Sequence, residues 1–125
     1  MIGIGVDAVD VGRFRSSLER TPSMRSRLFT AEEIELAESR GNDAATLAAR
    51  FAVREATMKA LGVGLGAFDF HDVSIRRADS GEPQMVVTGR AASLAADKGV
   101  GAWRVSLSHT ETVAHLRWCE YRLHP

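Results

Sequence analysis

The sequence has few cysteines and prolines, and it carries no excess of charge of either sign. Cys119 is the only cysteine among 125 residues, which excludes an intrachain disulfide and a metal site built from several thiolates. Lys+Arg and Asp+Glu balance at 16 each, so bulk electrostatic attraction to nucleic acid is not expected. No apolar run is long enough to span a bilayer, and the first residues lack the charged-then-apolar pattern of a secretion signal. We therefore expect a cytoplasmic protein with no nucleic-acid partner and no membrane association.

The remaining composition is that of an ordinary globular domain. Apolar residues make up 45% of the chain and charged residues 26%, close to the average for folded domains. A chain of 125 residues buries roughly two-thirds of the surface that its unfolded form exposes, which is enough for a core without disulfides. Residues 1–125 are therefore predicted to form a single domain.

Hydrophobic periodicity predicts an α+β fold with a mostly antiparallel sheet and a long central helix. Ile2, Ile4 and Val6 alternate with smaller residues as in a half-buried strand, and the strongest helical pattern runs over residues 43–61. The predicted elements are a strand over 1–7, a helix from about 9 that is broken at 21–23, helices over 31–39 and 43–61, strands over 73–77 and 84–88, a helix over 89–98, and strands over 103–108 and 113–122. This order of strand, three helices, hairpin, helix and hairpin is typical of the α+β class.

The ends of two helices are marked by specific residues. Thr30 followed by Glu33 is a capping-box pattern, which predicts that the helix over 31–39 begins there. Gly62 and Gly64 follow the long helix and predict where it ends. Alanines cover much of the long helix, so we expect it to pack against neighbours on several sides.

The central helix carries charged side chains beside its apolar stripe. At about 100° per residue, Glu55 and Lys59 lie on one flank of the stripe, and Arg50 and Arg54 lie on the other. A carboxylate on a well-packed helix loses hydration worth several kcal/mol unless it is paired or bound to a cation. Two interpretations stay open: a routine ion pair between Glu55 and Lys59, or a cation site that includes Glu55.

Asp7 presents a similar choice near the end of the first strand. It could cap the helix that follows, or it could meet Glu55 in the folded chain. Two carboxylates repel unless a cation lies between them, and a small set of oxygen ligands suits Mg²⁺ together with waters and substrate phosphates. Lys59, one turn beyond Glu55, could then face the same phosphate.

One histidine and a group of five arginines could also contact an anionic ligand or partner. His109 ends a strand pattern, where it is either a surface or capping residue or a hydrogen-bond donor to a phosphate. Five arginines fall within residues 13–27, and they either form a solvated helix face or attract an acidic protein at a rate that falls with salt. No Walker loop, dinucleotide fingerprint or nucleophile elbow is present.

Several segments together resemble a known enzyme family. GIGVD at 3–7, AARFAVREATMKALGVG at 48–64 and VSLSHT at 105–110 resemble, in order and spacing, the holo-acyl-carrier-protein synthases, which are short phosphopantetheinyl transferases. FHDVSI at 70–75 also fits, so the resemblance covers nearly the whole chain. The family usually has Lys where this chain has Arg54. Arginine keeps the charge but is almost never deprotonated, which disfavours a catalytic base at this position.

The resemblance implies an α+β homotrimer that binds coenzyme A between adjacent subunits and acts in fatty acid biosynthesis. It implies a Mg²⁺-dependent transfer of the 4′-phosphopantetheine arm of coenzyme A to a serine of apo acyl carrier protein, with release of 3′,5′-ADP. Glu55, directly or through a water, would then accept the serine proton. The implied site residues are the catalytic Glu55, Lys59 and Asp7, the metal ligands Asp7 and Glu55, the cofactor-binding Arg50, Lys59, Gly62, Gly64 and His109, and the carrier-binding Arg13 and Arg20.

Two other classes of function stay open at this point. A non-catalytic oligomeric module could bind a carrier protein or a nucleotide, without any metal-dependent release of 3′,5′-ADP. A metal-dependent phosphate-ester hydrolase would release pantetheine phosphate even when no carrier is present. The products formed from coenzyme A distinguish the three classes.

Overall fold

The computed structural model describes the backbone of residues 2–109 and 113–123 and the side chains of residues 7–105. No helix in this described part is long and apolar enough to cross a bilayer. A 3₁₀ turn, Phe70–Asp72, precedes the second strand. The strands and helices are, in chain order, β1 (Ile2–Asp10), α1 (Val11–Arg20), α2 (Met24–Leu28), α3 (Ala31–Ser39), α4 (Asp43–Leu61), β2 (Val73–Arg77), β3 (Pro83–Val87), α5 (Gly89–Asp97), β4 (Val100–His109) and β5 (Val113–Leu123).

The strands form two antiparallel sheets within the described backbone. β5 lies between β1 and β4 in one sheet, and β2 pairs with β3 in a separate hairpin. The long helix α4 packs against both β1 and β5, so it lies on the three-stranded sheet. The α+β fold class that the sequence predicts is confirmed, and the mostly antiparallel sheet and long central helix are present as expected.

The pairing of β1 with β5 is interrupted just before Asp7. Gly5 pairs with Cys119 and Asp7 pairs with Leu116, so two steps along β1 match three steps along β5. A bulge of this kind bends the strands and changes the direction of nearby side chains. The irregularity therefore lies beside the first carboxylate that the sequence marks as a candidate site residue.

Helix α4 is buried along most of its length between two apolar clusters. One cluster joins α4 to β2 and α5 and includes Val53, Val73 and Ala91. The other joins α4 to α1 and includes Leu18 and Leu47. The alanines of α4 have no long side chains, so neighbouring elements approach it closely on both sides. The prediction that this helix packs against several neighbours is confirmed.

Both helix ends that the sequence marks are formed as predicted. Glu33 N donates to Thr30 Oγ1 at 3.2 Å, and Thr30 N donates to Glu33 Oε1 at 3.0 Å, which completes the capping box of α3. Gly62 follows α4 with a φ of 69°, a left-handed conformation that glycine adopts without a steric penalty. The predicted bounds of α3 and α4 match the observed ones.

The start of the chain differs from the prediction in two ways. β1 continues to Asp10, and Asp10, not Asp7, caps α1 by accepting a hydrogen bond from Arg13 N at 3.1 Å. The proposal that Asp7 caps the first helix is therefore wrong. The short helix α2 was also not predicted, because no side chain caps its start and it is only 5 residues long. Four helices, not three, precede the first hairpin.

Candidate active site

The packing of α4 on β1 brings Asp7 and Lys59 into contact. Lys59 Nζ lies 2.8 Å from Asp7 Oδ1, although the two residues are 52 positions apart in the chain. The Asp7 side chain is 12% exposed and the Lys59 side chain is 56% exposed, so the pair lies at the protein surface with its carboxylate partly covered. The hydrogen bond to Asp7 is the main reason that the pKa of Lys59 is raised, which keeps the amine positively charged.

Glu55 belongs to the same cluster, one helical turn before Lys59. Burial is the main cause that raises the pKa of Glu55, and the negative charge of Asp7 raises it further, whereas Lys59 lowers it. Asp7 is therefore close enough for its charge to act on Glu55. We call Asp7, Glu55 and Lys59 the carboxylate cluster.

The carboxylate cluster offers oxygen ligands suited to a hard divalent cation. Among the side chains of residues 7–105, no group of three or more His, Cys, Asp and Glu residues is arranged to hold a metal on its own. A site with two carboxylates, Asp7 and Glu55, fits Mg²⁺, which commonly takes one or two protein carboxylates and fills its octahedron with waters and substrate phosphates. The same pair fits zinc less well, because protein zinc sites usually include nitrogen or sulfur ligands.

The end of α4 forms an apolar recess beside this cluster. Its lining consists of Met58, Val63 and Leu65 together with Glu55 and Lys59, and its volume is about 220 Å³. The helix ends there because Val63 N donates to Met58 O at 3.0 Å around Gly62. Gly64 follows, and a side chain added there would meet nothing within 4 Å. Gly62 and Gly64, the predicted cofactor-binding glycines, therefore lie at the border of the recess.

Arg50 lies on the other flank of α4, away from the carboxylate cluster. It is only 2% exposed, and its Nη1 donates to Thr46 O at 3.3 Å. Its Nε and Nη2 atoms are buried and have no hydrogen-bond partner among the described residues. Burial is the main cause that lowers the pKa of Arg50 to about 10. The negative charge of Glu33 raises this pKa, and three neighbouring arginines lower it further. Two guanidinium nitrogens of Arg50 therefore have no acceptor in the part of the chain that the structure describes.

A buried ion pair that the sequence did not predict lies next to Arg50. Arg54 Nη2 is 2.6 Å from Glu33 Oε1, and Arg54 Nη1 is 3.0 Å from Glu33 Oε2. Arg54 Nε also donates to Phe70 O at 2.8 Å, and Ile75 N donates to Glu33 Oε2 at 3.2 Å. Arg54 is therefore fixed inside the protein, on a different flank from Glu55.

The two arginines predicted to bind a partner lie on one face of α1. Arg13 and Arg20 border a shallow surface depression of about 540 Å³ whose floor is made of Gly12, Ser16 and Ser17. Both arginines are exposed, and Arg20 Nη2 donates to Ser17 Oγ at 3.3 Å. The residues between the two exposed guanidinium groups are small. His109 is the last residue of β4 and pairs with Ala114, but its side chain lies outside the described residues.

Comparison with protein families gives a match over most of the chain. Residues 3–114 match the 4′-phosphopantetheinyl transferase superfamily. A holo-[acyl-carrier-protein] synthase of Streptomyces avermitilis is 46% identical over 114 residues, which cover 91% of this chain and 92% of the relative. The corresponding protein of Moorella thermoacetica is 41% identical over 91% of this chain and 89% of its own length.

Solved structures give the same result for the fold. A holo-[acyl-carrier-protein] synthase of Neisseria meningitidis superposes with a TM-score of 0.87 at 27% identity, over 98% of this chain and 99% of that chain. A holo-(acyl-carrier-protein) synthase of Bacillus anthracis, solved in complex with coenzyme A (3′,5′-ADP), superposes with a TM-score of 0.78 at 25% identity, over 98% and 96% of the two chains.

Proposed function

Because this chain belongs to the 4′-phosphopantetheinyl transferase superfamily, we propose that the carboxylate cluster is the site where it acts on coenzyme A and apo acyl carrier protein. The reaction transfers the 4′-phosphopantetheine arm to a serine of the carrier. The serine oxygen forms a bond to the β-phosphorus, the bond from that phosphorus to the bridging oxygen breaks, and 3′,5′-ADP leaves with the bridging oxygen. The supporting observation is the contact of Asp7 with Lys59, one turn from Glu55.

Asp7 and Glu55 would hold Mg²⁺ together with the pyrophosphate of coenzyme A. A bound Mg²⁺ would neutralise charge that develops on the phosphate oxygens during transfer. Burial is the main cause of the raised pKa of Glu55, and the negative charge of Asp7 adds to it; both costs would be relieved by a bound cation. Their incomplete ligand set suits a metal that shares its coordination sphere with substrate phosphates.

Lys59 and Glu55 would divide the remaining chemistry between them. Lys59 is half-exposed and stays protonated beside Asp7, so its ammonium group can contact the oxygens of the leaving phosphate. Burial and the charge of Asp7 raise the pKa of Glu55 when no cation is bound, but a carboxylate that holds Mg²⁺ is a weak base. We therefore assign the serine proton to a water that Glu55 orients, with direct transfer to Glu55 as the alternative.

The nucleotide half of coenzyme A would be held by residues outside the cluster. Arg50 has two buried nitrogens with no acceptor among residues 7–105, and a phosphate group of the nucleotide would supply one. Gly62 and Gly64 border the recess at the end of α4, where the backbone leaves space for coenzyme A to pass beside the carboxylate cluster. His109 is assigned to the same nucleotide from its position at the end of β4.

Arg13 and Arg20 would bind the acidic carrier protein. They flank a depression floored by small residues, so the surface of a partner can approach between them. Attraction at an exposed surface of this kind is screened by salt, so association should slow as ionic strength rises. Assembly into a homotrimer, a cytoplasmic location and a role in fatty acid biosynthesis complete the proposal.

The test is to identify the products formed from coenzyme A and Mg²⁺, with and without apo carrier protein. We expect holo carrier and 3′,5′-ADP only when the carrier is present. Release of pantetheine phosphate without the carrier would identify a hydrolase, and binding without any product would identify a non-catalytic module.

A pair of variants tests the assignment of Glu55. Glu55→Gln should lower the transfer rate at least about a hundredfold, because it removes both a metal ligand and the carboxylate that would orient the water. Glu38→Gln is the control, since Glu38 is exposed on α3 and should leave the rate unchanged. A fully active Glu55→Gln variant would remove Glu55 from the mechanism.

A further inference from the structure

The apolar recess at the end of α4 is continuous with the carboxylate cluster. Glu55 and Lys59 belong to both, and the rest of the lining is Met58, Val63 and Leu65. A group bound between the two charged side chains therefore lies at the entrance of an apolar space of about 220 Å³. The recess is too small for a whole coenzyme but large enough for one aliphatic segment.

Leu65 is the unusual member of this lining. It is 80% exposed, the only large hydrophobic residue so exposed among the described side chains. A hydrogen bond of 3.2 Å from Ala67 N to Gly64 O closes a turn around it, and Gly66 supplies a φ of 88° at the third position. That geometry is a type II turn, which requires glycine at this place. The backbone thus fixes an apolar side chain in solvent at the mouth of the recess.

The donor substrate has one apolar segment at the matching place. In coenzyme A the arm begins at the β-phosphate, and the carbon after the first CH₂ group carries two methyl groups. If the pyrophosphate binds at Asp7, Glu55 and Lys59, this branched segment reaches the recess before the amide groups of the arm do. We propose that Met58, Val63 and Leu65 bind the dimethyl segment of the phosphopantetheine arm, an inference that rests on the proposed function.

The inference predicts that Leu65 discriminates between two ligands that share a nucleotide. Coenzyme A has the arm, whereas 3′,5′-ADP lacks it. Each methyl group returned to water weakens binding about fourfold, so losing the Leu65 contact should weaken coenzyme A binding by roughly tenfold. Binding of 3′,5′-ADP should be unchanged.

Isothermal titration calorimetry in the presence of Mg²⁺ tests this difference. Leu65→Ser should raise the Kd of coenzyme A about tenfold and leave the Kd of 3′,5′-ADP within about twofold of the original protein. Leu65→Met should keep the affinity for coenzyme A, because it preserves apolar contact. Leu36→Ser is the control, since Leu36 lies between α3 and β2 in a separate groove. Because Leu65 is exposed, its substitution should not unfold the protein.

The outcomes separate this inference from the function on which it rests. An unchanged Kd of coenzyme A in Leu65→Ser would overturn the inference alone, and so would an equal loss for both ligands, because the turn would then be shaping the nucleotide site. A raised KM for the carrier protein at constant Kd of coenzyme A would assign the recess to the carrier. If the unsubstituted protein bound neither coenzyme A nor 3′,5′-ADP, the proposed function would be overturned as well.

Discussion

Two groups of charged residues lie on different flanks of α4, and they differ in how completely their charges are compensated. Glu33 and Arg54 are 1% and 0% exposed, and they face each other through two short hydrogen bonds. Asp7, Glu55 and Lys59 are partly exposed, with two carboxylates for one amine. Counted over the side chains of residues 7–105, the first group is electrically balanced inside the protein, whereas the second carries an excess of negative charge at its surface.

The difference indicates which charges serve the fold and which are available for chemistry. Glu33 also accepts hydrogen bonds from Thr30 N and Ile75 N, and the Arg54 guanidinium lies 5.0 Å from the centre of the Phe29 ring. A carboxylate with this many donors has little capacity left for a ligand. In the carboxylate cluster the pKa of Glu55 is raised, which is the kind of perturbation that functional sites use.

The most direct test of this difference is to neutralise one carboxylate in each group and to compare the stability of the two variants. Glu33→Gln leaves Arg54 buried without a counter-charge, so the free energy of unfolding should fall by about 3–5 kcal/mol. Glu55→Gln removes a repelled charge at the surface and should cause no such loss. Urea unfolding of both variants at neutral pH measures the two effects. Equal stability of Glu33→Gln and the original protein would mean that the buried pair contributes nothing to the fold.

A second substitution tests whether the geometry of the buried pair matters beyond its charge. Arg54→Lys keeps the positive charge, but one amine cannot replace the paired bonds to Glu33 or the bond from Nε to Phe70 O. We expect a loss of about 1–3 kcal/mol in the free energy of unfolding. Arg15→Lys, on the exposed face of α1, is the control. A loss no larger than that of the control would show that any buried cation suffices here.

Sequence reasoning found the local features of the fold and missed the non-local ones. The capping box of Thr30 and Glu33 and the glycine stop at Gly62 are set by residues a few positions apart, and both were predicted correctly. The pairing of Glu33 with Arg54 spans 21 positions and depends on how α3 packs on α4, so no pattern along the chain reveals it.

The candidate site was predictable to a similar extent. Helical spacing alone placed Glu55 and Lys59 on one flank of α4, and that placement is confirmed. The contact of Asp7 with Lys59 depends on the packing of β1 against α4. From the residues alone, a position of Asp7 beside Glu55 was one of two open interpretations, and the family resemblance favoured it. The burial of Arg50 was not expected, because arginine is seldom fully buried and the packing around it is set by distant segments.

The effect of pH on stability should distinguish Glu55 from an ordinary surface carboxylate. Since the folded-state pKa of Glu55 is raised, the folded state binds its proton more tightly than the unfolded state does. Relative to Glu55→Gln, the original protein should therefore lose stability as pH rises from the ordinary glutamate pKa through the raised value. Unfolding curves of the two proteins across this range, in a chelating buffer, measure the difference. A difference that stays constant with pH would contradict the raised pKa.

The smallest effect on stability is expected for Lys59→Met, which breaks the contact with Asp7. Exposed ion pairs of this kind contribute about 0.2–1 kcal/mol, so the unfolding free energy should change by no more than that. The effect on the metal should be larger, because Lys59 competes with a cation for Asp7 Oδ1. In Lys59→Met the ammonium group no longer competes for Asp7, so Mg²⁺ should bind the two carboxylates more tightly. Mg²⁺ should therefore raise the melting temperature of Lys59→Met more than that of the original protein. An equal or smaller rise would mean that Lys59 does not share its carboxylate with the metal.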